Sequence, residues 1–563
     1  MSARLPRDRY AALYGPTTGD LVRLADTDLW VRVEADDTEP GEELLGGCAK
    51  TARDGLLVAP RAGRDSALDL VVLGVLVLDP VLGVRKTNIG VKDGRIIGAG
   101  RAGNPDMVGG VDLVVDSHTA MVTGEGLIAT PGVVDSHVHL SSPEVVPAAL
   151  SAGVTSLVGM GLGGVWDVGA NPAHNLHTLI AAWRDLPVNV AFLARGSSSS
   201  TDLLERAVLS GAGGFKIHED WGATPHIVDT CLGVAEAADL PVALHTDTLN
   251  ESGYLADTLD ATRGRTVHAY HVEGGGGHPD LLEIVGVPHV LTSSTTPTLP
   301  LTPATVDELL PMTMTVHRGH ALLDSDVAIA GSRVREHAIA AENALHDTGA
   351  ISIVNSDSMG MGRIAETARR TWQLAHVRAS LAGETGPDRP ANERVLRYLA
   401  KITLNPAIAH GMAHEVGALT PGRLADIVLW HPAWFGAQPE LVIKSGFVAW
   451  GASGSGSGST RLTQPRVMRP FFGGFGAAPH RLATVFVAQP CLADGSARAA
   501  LPDGPRYAAV RGSRHLGRAD MVRNTATPRV EVPVEPGPVM VDGAAVGVHR
   551  ASTLPLTRLH HLA

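Results

Sequence analysis

The nine residues 132–140, GVVDSHVHL, decide how this chain is read. Val133, Val134, Val138 and Leu140 are what a packed strand wants, and side chains two apart on a strand share one face. His137 and His139 therefore point the same way, out of a segment otherwise built for burial. Two core histidines with satisfied hydrogen bonds are one reading of an isolated His-x-His. A pair of metal ligands is the other, and the residues that follow favour it.

From Gly132 onward short apolar runs alternate with helix-like segments. After GVVDSHVHL come GVTSLVGM, NVAFLARG, GGFKIHED, PVALHTDT, TVHAYHVEG, HVLTSST and ISIVNSDS, eight candidate strands in all. Segments such as TDLLERAVLSG (201–211) and IVDTCLGVAEAADL (227–240) lie between them with helical periodicity. Eight strand–helix units predict an α/β fold, a (β/α)8 TIM-type barrel over 132–425. The first 131 residues predict a β-rich domain, because LDLVVLGVLVLD, TNIGVKDGRIIGAG and VDLVVDS are strand-like and divided by Gly, Asp and Asn turns. Residues 426–480 read as strands again and are expected to rejoin it, since both ends of the barrel then meet one layer. GASGSGSGST (451–460) has the composition of a linker. Residues 481–563 form a Pro/Gly-rich C-terminal segment with no clear pattern.

Bulk properties narrow the function classes. A chain of 563 residues is too long for one hydrophobic core. Hydrophobic residues make up 44% and charged residues 18%, ordinary for a globular protein. No run of 18 apolar residues marks a membrane span, and the N-terminal stretch MSARLPRDRYAALYG has no apolar core of a signal peptide. Cys48, Cys231 and Cys491 are an odd, widely spaced set, which fits a reducing cytoplasm and no disulfide framework. The net charge of −12 comes without a basic cluster, which argues against nucleic acid as a partner.

In a barrel of this kind the C-terminal strand ends face the active site. Those ends carry His137 and His139 on the first strand, Lys216 and His218 on the fourth, and His245 on the fifth. The sixth supplies His268 and His271, and the eighth Asp357. Imidazole suits zinc, nickel, copper or iron, and a carboxylate completes such a site. The donors outnumber what one tetrahedral ion takes, which favours two ions. Lys216 is the odd member, because an ammonium cannot ligate. Burial would depress its pKa, and the neutral amine can take up carbon dioxide to give a carbamate whose two oxygens bridge two ions. An exposed lysine pairing with Glu219 is the alternative. A dinuclear site predicts hydrolysis of an amide-like or ester-like bond. His317, in PMTMTVHRGHALLD between the last two strands, is either a proton donor on a lid or a plain loop histidine, and position alone leaves both open.

Long stretches of the chain resemble the alpha, catalytic subunits of the urease family, within the amidohydrolase superfamily. They include YGPTTGDLVRLADTDLW, GRIIGAGRAGNPDMVGGV, FKIHEDWGATP, HTDTLNESGY, HAYHVEG, SRVREHAIAAENALHDTGAISIVNSDS, RRTWQLAH, AKITLNPAIAHG and LADIVLWHPAWFG, spread over residues 7–480. The resemblance implies two nickel ions, with His137, His139 and Asp357 holding one, His245 and His271 the other, and carbamylated Lys216 bridging them. It implies that His218 donates to the urea carbonyl oxygen, and that His317 is the lid acid–base residue, oriented by Asp220 and Arg333. His268 matches the family sequence without being a ligand. The implied reaction is urea plus water to ammonia and carbamate. The implied partners are the small beta and gamma subunits, in trimers of that unit, and accessory proteins that load nickel.

Departures fall beside this chemistry. The family's lid Cys-His-His reads Val316, His317, Arg318, and its Phe-Ile-Cys-Pro-Gln after the first histidine pair reads LSSPEV. The stretches GGCAK (46–50), GMGLGGVWDVGANPAHN (159–175) and VEGGGGHPD (272–280) also differ, and Gly360 in DSMGMG stands where the family has alanine. The ligand positions are intact and the pocket walls are not. A diverged dinuclear amidohydrolase acting on another amide or urea derivative, or a non-catalytic paralogue, are the alternatives these changes leave open.

Overall fold

The computed structural model describes residues 5–39, 43, 55–63, 65–161, 173–245, 255–273, 279–458 and 463–557. GGCAK, most of 159–175, residues 274–278, all of HTDTLNESGY except His245, and the end of the Gly/Ser stretch lie outside these residues, as does the side chain of Asp220.

The eight candidate strands all form, in the order in which they were read. They are β1 (Val133–His139), β2 (Val154–Met160), β3 (Asn189–Arg195), β4 (Gly214–Ile217), β5 (Val242–Leu244), β6 (Val267–Ala269), β7 (Val290–Thr295) and β8 (Ile353–Asn355). Each pairs in parallel with the next. A bridge between Val138 and Ser358 brings β1 against the residues following β8, with the His139 N–H donating to the Ser358 carbonyl at 2.9 Å. Both faces of such strands are covered, which explains why they read as nearly unbroken Val, Leu, Ile and Ala.

The helices between them follow ordinary rules. Pro225–Ala238 starts with Thr224 capping the Ile227 N–H and Pro225 in the first turn. It buries Val228, Cys231, Leu232 and Ala235, spaced by three and four, and ends at Asp239 in the left-handed region. No helix among the described residues is long and apolar enough to cross a membrane.

A second sheet gathers both sides of the barrel. Its central strand Ile128–Pro131 runs directly into β1 and pairs antiparallel with Ile427–Trp430, which leaves the barrel. Around this seam lie Leu70–Asp79, Gly83–Lys92 and Arg95–Gly100 from the N-terminal part, with Leu441–Lys444, Phe447–Ser453 and Val467–Pro470 from the other. The two bodies are pinned where Asp426 meets Lys444, both buried. Asp426 also accepts from Asn189 Nδ2 at 2.7 Å and from the Ser445 N–H at 2.9 Å, and Lys444 Nζ donates to the Thr155 carbonyl at 3.1 Å.

Three features differ from the sequence reading. Arg7–Tyr14 is a helix where strands and turns were expected. The Gly/Ser stretch is not a linker between domains: it begins inside strand Phe447–Ser453, which pairs antiparallel with Val467–Pro470, so it connects two strands of one sheet. The C-terminal segment belongs to the barrel wall. Thr484–Val487 lies parallel to β3 at Val190 and Ala191, below the point where β3 turns to β4 at Leu193. Arg518, 1% exposed, donates to the carbonyls of Ala350 and Val290 at the starts of β8 and β7, the latter at 3.2 Å.

Candidate active site

His137 and His139 share one face of β1, as the alternation requires, with ring centroids 5.4 Å apart. Asp357 meets them from just beyond β8: its Oδ1 is 2.9 Å from His139 Nε2 and 3.3 Å from His137 Nε2. Asp357 has φ +53°, a conformation that L residues seldom adopt and that here turns the carboxylate toward β1. Burial alone would raise its pKa, but the hydrogen bond and charge of His139 hold it below the usual range.

Lys216 ends β4 inside the barrel mouth, 3% exposed, so it is not the surface lysine of the alternative reading. Its Nζ lies 3.7 Å above the centre of the Tyr270 ring and has no hydrogen-bond partner among the described residues. Burial pushes the amine down to about 7, against the opposing charges of Asp357 and Glu219.

His218 and His245 stack with centroids 4.2 Å apart. Glu219 Oε2 reaches both, 2.9 Å from His245 Nδ1 and 3.3 Å from His218 Nδ1. His271 joins the arc of rings, 5.0 Å from His245 and 5.1 Å from His137. Its Nε2 is 3.7 Å from Asp357 Oδ2 while Nδ1 is 3.5 Å from Glu273 Oε1. Burial lowers the pKa of all these rings. In His137, His218 and His245 it prevails, helped by Lys216 and by the neighbouring rings, and they are held neutral. His271 is raised instead, because Glu273 and Asp357 outweigh burial.

His317 follows helix Thr305–Val316 and sits 6.0 Å from His245, ring to ring. Burial, then the charge of Arg333, lowers it to about 4. Arg333 itself is 7% exposed at the end of helix Asp324–Arg333. His268 does not reach the cluster. Its Nδ1 lies 2.9 Å from His410 Nε2, beneath Tyr270.

The donor set fits metal ions. His137, His139 and Asp357 present ligand atoms within 4.8 Å of one another, and so do His218, Glu219 and His245. These buried imidazoles face one another where hydrogen-bonding partners are few, and Lys216 Nζ has none among the described residues. A buried polar atom left in that state is costly unless something else satisfies it. The grouping differs in detail from the resemblance: His271 stands between the two groups, and Glu219 falls in with His245.

Sequence reasoning missed the part played by four side chains. Tyr270 stacks on His137 at 3.9 Å and forms the floor beneath Lys216. The sequence marks Glu219 only as a partner for Lys216, and nothing in it marks Glu273. Asp135 was also passed over, although alternation places it on the same strand face as His137 and His139.

Comparison with known proteins gives concordant matches. The amidohydrolase family model matches residues 128–461, and the model of the urease alpha-subunit N-terminal domain matches residues 3–122. Urease subunit alpha 1 of Streptomyces avermitilis is 48% identical over 557 residues, 98% of this chain and 99% of the relative. Urease subunit alpha of Sulfurisphaera tokodaii is 46% identical over 565 residues, 99% of this chain and all of the relative.

Proposed function

Since this chain belongs to the urease alpha-subunit family, we propose that it is the catalytic subunit of a urease, converting urea and water to ammonia and carbamate. The observation that carries the reading is the convergence of His137, His139, Lys216, His245, His271 and Asp357 on one buried mouth of the barrel. The proposed cofactors are two nickel ions. His137, His139 and Asp357 would hold one, His245 and His271 the other, and Lys216, as a carbamate, would serve both. Such ions, when bound, polarise a carbonyl and lower the pKa of water toward neutrality.

The protein's own groups prepare that chemistry. With its pKa near 7, Lys216 is partly unprotonated at neutral pH. Its amine adds to carbon dioxide, an N–C bond forms, a proton leaves, and the carbamate presents two oxygens. Neutral imidazoles keep a lone pair for a metal. Glu219 takes the hydrogen of the nearer ring nitrogen, His245 Nδ1, and His218 carries its own on Nε2 toward the urea oxygen. His317, neutral well above pH 4, is the proton carrier for the departing nitrogen, with Arg333 and Asp220 orienting it. The beta and gamma small subunits, a trimer of that unit, nickel-loading accessory proteins and a cytoplasmic location complete the proposal.

The test is ammonia release from urea by the chain produced with its small subunits and loading proteins, with metal measured on the same sample. Two nickel ions per chain with steady turnover is the expected result. Two metals without turnover would transfer the reading to another amide or urea derivative, and a chain that takes up no metal would refute both.

A further inference from the structure

Asp135 is fully buried and joins the two segments that carry one half of the metal cradle. Its Oδ1 accepts from the His137 N–H at 3.2 Å and from the Ser356 N–H at 3.1 Å. Its Oδ2 accepts from Thr367 Oγ1 at 2.7 Å. Ser356 directly precedes Asp357, so one carboxylate oxygen holds the backbone of His137 and of the residue beside Asp357 together.

This joint lies at the weakest seam of the barrel. Neighbouring strands elsewhere share runs of paired residues, as β2 and β3 do over Ser156–Gly159. Where β1 meets the end of β8 the described contact is a single bridge, Val138 to Ser358. Metal ligation tolerates errors of only ~0.2 Å in donor position. His137, His139 and Asp357 come from both sides of a seam with little ladder to fix it. Thr367, at the start of helix Thr367–Leu381, ties the carboxylate to a third element.

We propose that Asp135 is a positioning residue: by bonding the backbone at His137 and Ser356 across the β1–β8 seam, it sets the register of His139 and His137 against Asp357 and so the affinity of that metal site. The inference rests on the dinuclear reading given above and names a residue which that reading leaves without a role.

The test uses the full chain, stripped of metal with a chelator and titrated with cobalt(II), read by its absorption spectrum. His139→Ala and His245→Ala assign the two sites. Asp135→Ala is expected to weaken the His139-dependent site on the order of 10–100-fold, as loss of an outer hydrogen-bonding partner does, and to leave the His245-dependent site unchanged. Asp135→Asn retains an acceptor oxygen and is expected to restore most of the affinity. Thr367→Val, which keeps the carboxylate but frees its far oxygen, is expected to weaken the same site by a smaller factor, and it decides the matter should Asp135→Ala not fold. Unchanged cobalt affinities in folded Asp135→Ala, or in Thr367→Val, would overturn the proposal, as would Asp135→Asn binding no better than Asp135→Ala. Wild-type chain that binds no cobalt would instead remove the metal reading itself, and this inference with it.

Discussion

The pair His268–His410 beneath the metal cluster should make the protein acid-sensitive, by an amount the structure sets. His410 is fully buried with its Nε2 2.9 Å from His268 Nδ1. Burial, then the charge of Lys216, lowers its pKa from 6.5 to about 3. The unfolded chain binds a proton at this residue below pH 6.5, and the folded chain does not until about pH 3. The stability it contributes is therefore complete above 6.5 and is lost as pH falls through that window. Each pH unit is worth ~1.4 kcal/mol per group, so the loss is about 2 kcal/mol by pH 5 and about 5 kcal/mol in all. His410→Gln keeps a side chain that hydrogen-bonds but does not titrate. Guanidinium unfolding of metal-stripped wild type and variant at pH 7 and pH 5 isolates the effect, since the other titrating groups contribute alike to both (urea is unsuitable, being the proposed substrate). The stability difference between the two should shift by about 2 kcal/mol in favour of the variant at the lower pH. A difference that stays constant from pH 7 to pH 5 would refute the reasoning.

Other consequences are as direct. Asp426→Ala leaves Lys444 buried without its counter-ion and should cost ~3–5 kcal/mol, read as a lowered unfolding midpoint, while the double change Asp426→Leu with Lys444→Met should recover much of the loss. Phe486→Ala empties a fully buried site on the C-terminal strand beside β3 and should also cost ~3–5 kcal/mol; a tail that merely drapes over the barrel would give under ~1 kcal/mol. His317→Ala should retain both metals and lose ~100-fold or more of the turnover, as removal of a general acid–base group does, and metal loss in that variant would place His317 among the ligands instead. Burial raises the Cys231 thiol to about 12, so iodoacetamide at pH 8 should leave it unlabelled by mass spectrometry until denaturant is added.

The barrel was legible because parallel strands buried on both faces leave unbroken apolar runs, and eight of them alternate with helical segments. The seam between barrel and second sheet was legible for a related reason: a strand enters at Ile128–Pro131 and another leaves at Ile427–Trp430. Thr484–Val487 was not legible, since a four-residue strand in a Pro/Gly-rich tail gains its place only from β3. The site was readable where period-two alternation holds, at His137 and His139. It was less readable at His271. Alternation puts His268 and Tyr270 on one face, and His271 reaches the cluster through φ +51°, a local choice that no spacing rule supplies. His268 carries the stronger spacing signal and turns instead to His410, a partner 142 residues away in the chain. Glu219 was visible as a charge, but its contact with His245 depends on the short helix Glu219–Trp221 folding back over the strand end.

Among the described residues, the departures from the family pattern at Val316 and Gly360 stand in different settings. His137 and His139 stand on a strand paired with β2, and Asp357 packs directly against both. Val316 ends helix Thr305–Val316, next to His317, on none of the strands that carry the donors. Gly360 is different. A methyl group there would lie 2.5 Å from Asp357 Oδ1 and 3.0 Å from His139 Nε2, well inside contact distance. The loop bearing it also holds Asp357 and Met359 with positive φ, and Met361 donates its N–H to Asp357 Oδ2 at 3.1 Å. Residues 360–362 are therefore tied to Asp357, Gly360 and Gly362 donating to its carbonyl at 3.1 and 2.9 Å. On the proposed function, a substitution at Val316 should change turnover first and one at Gly360 metal content first, and a measurement of metal content separates the two.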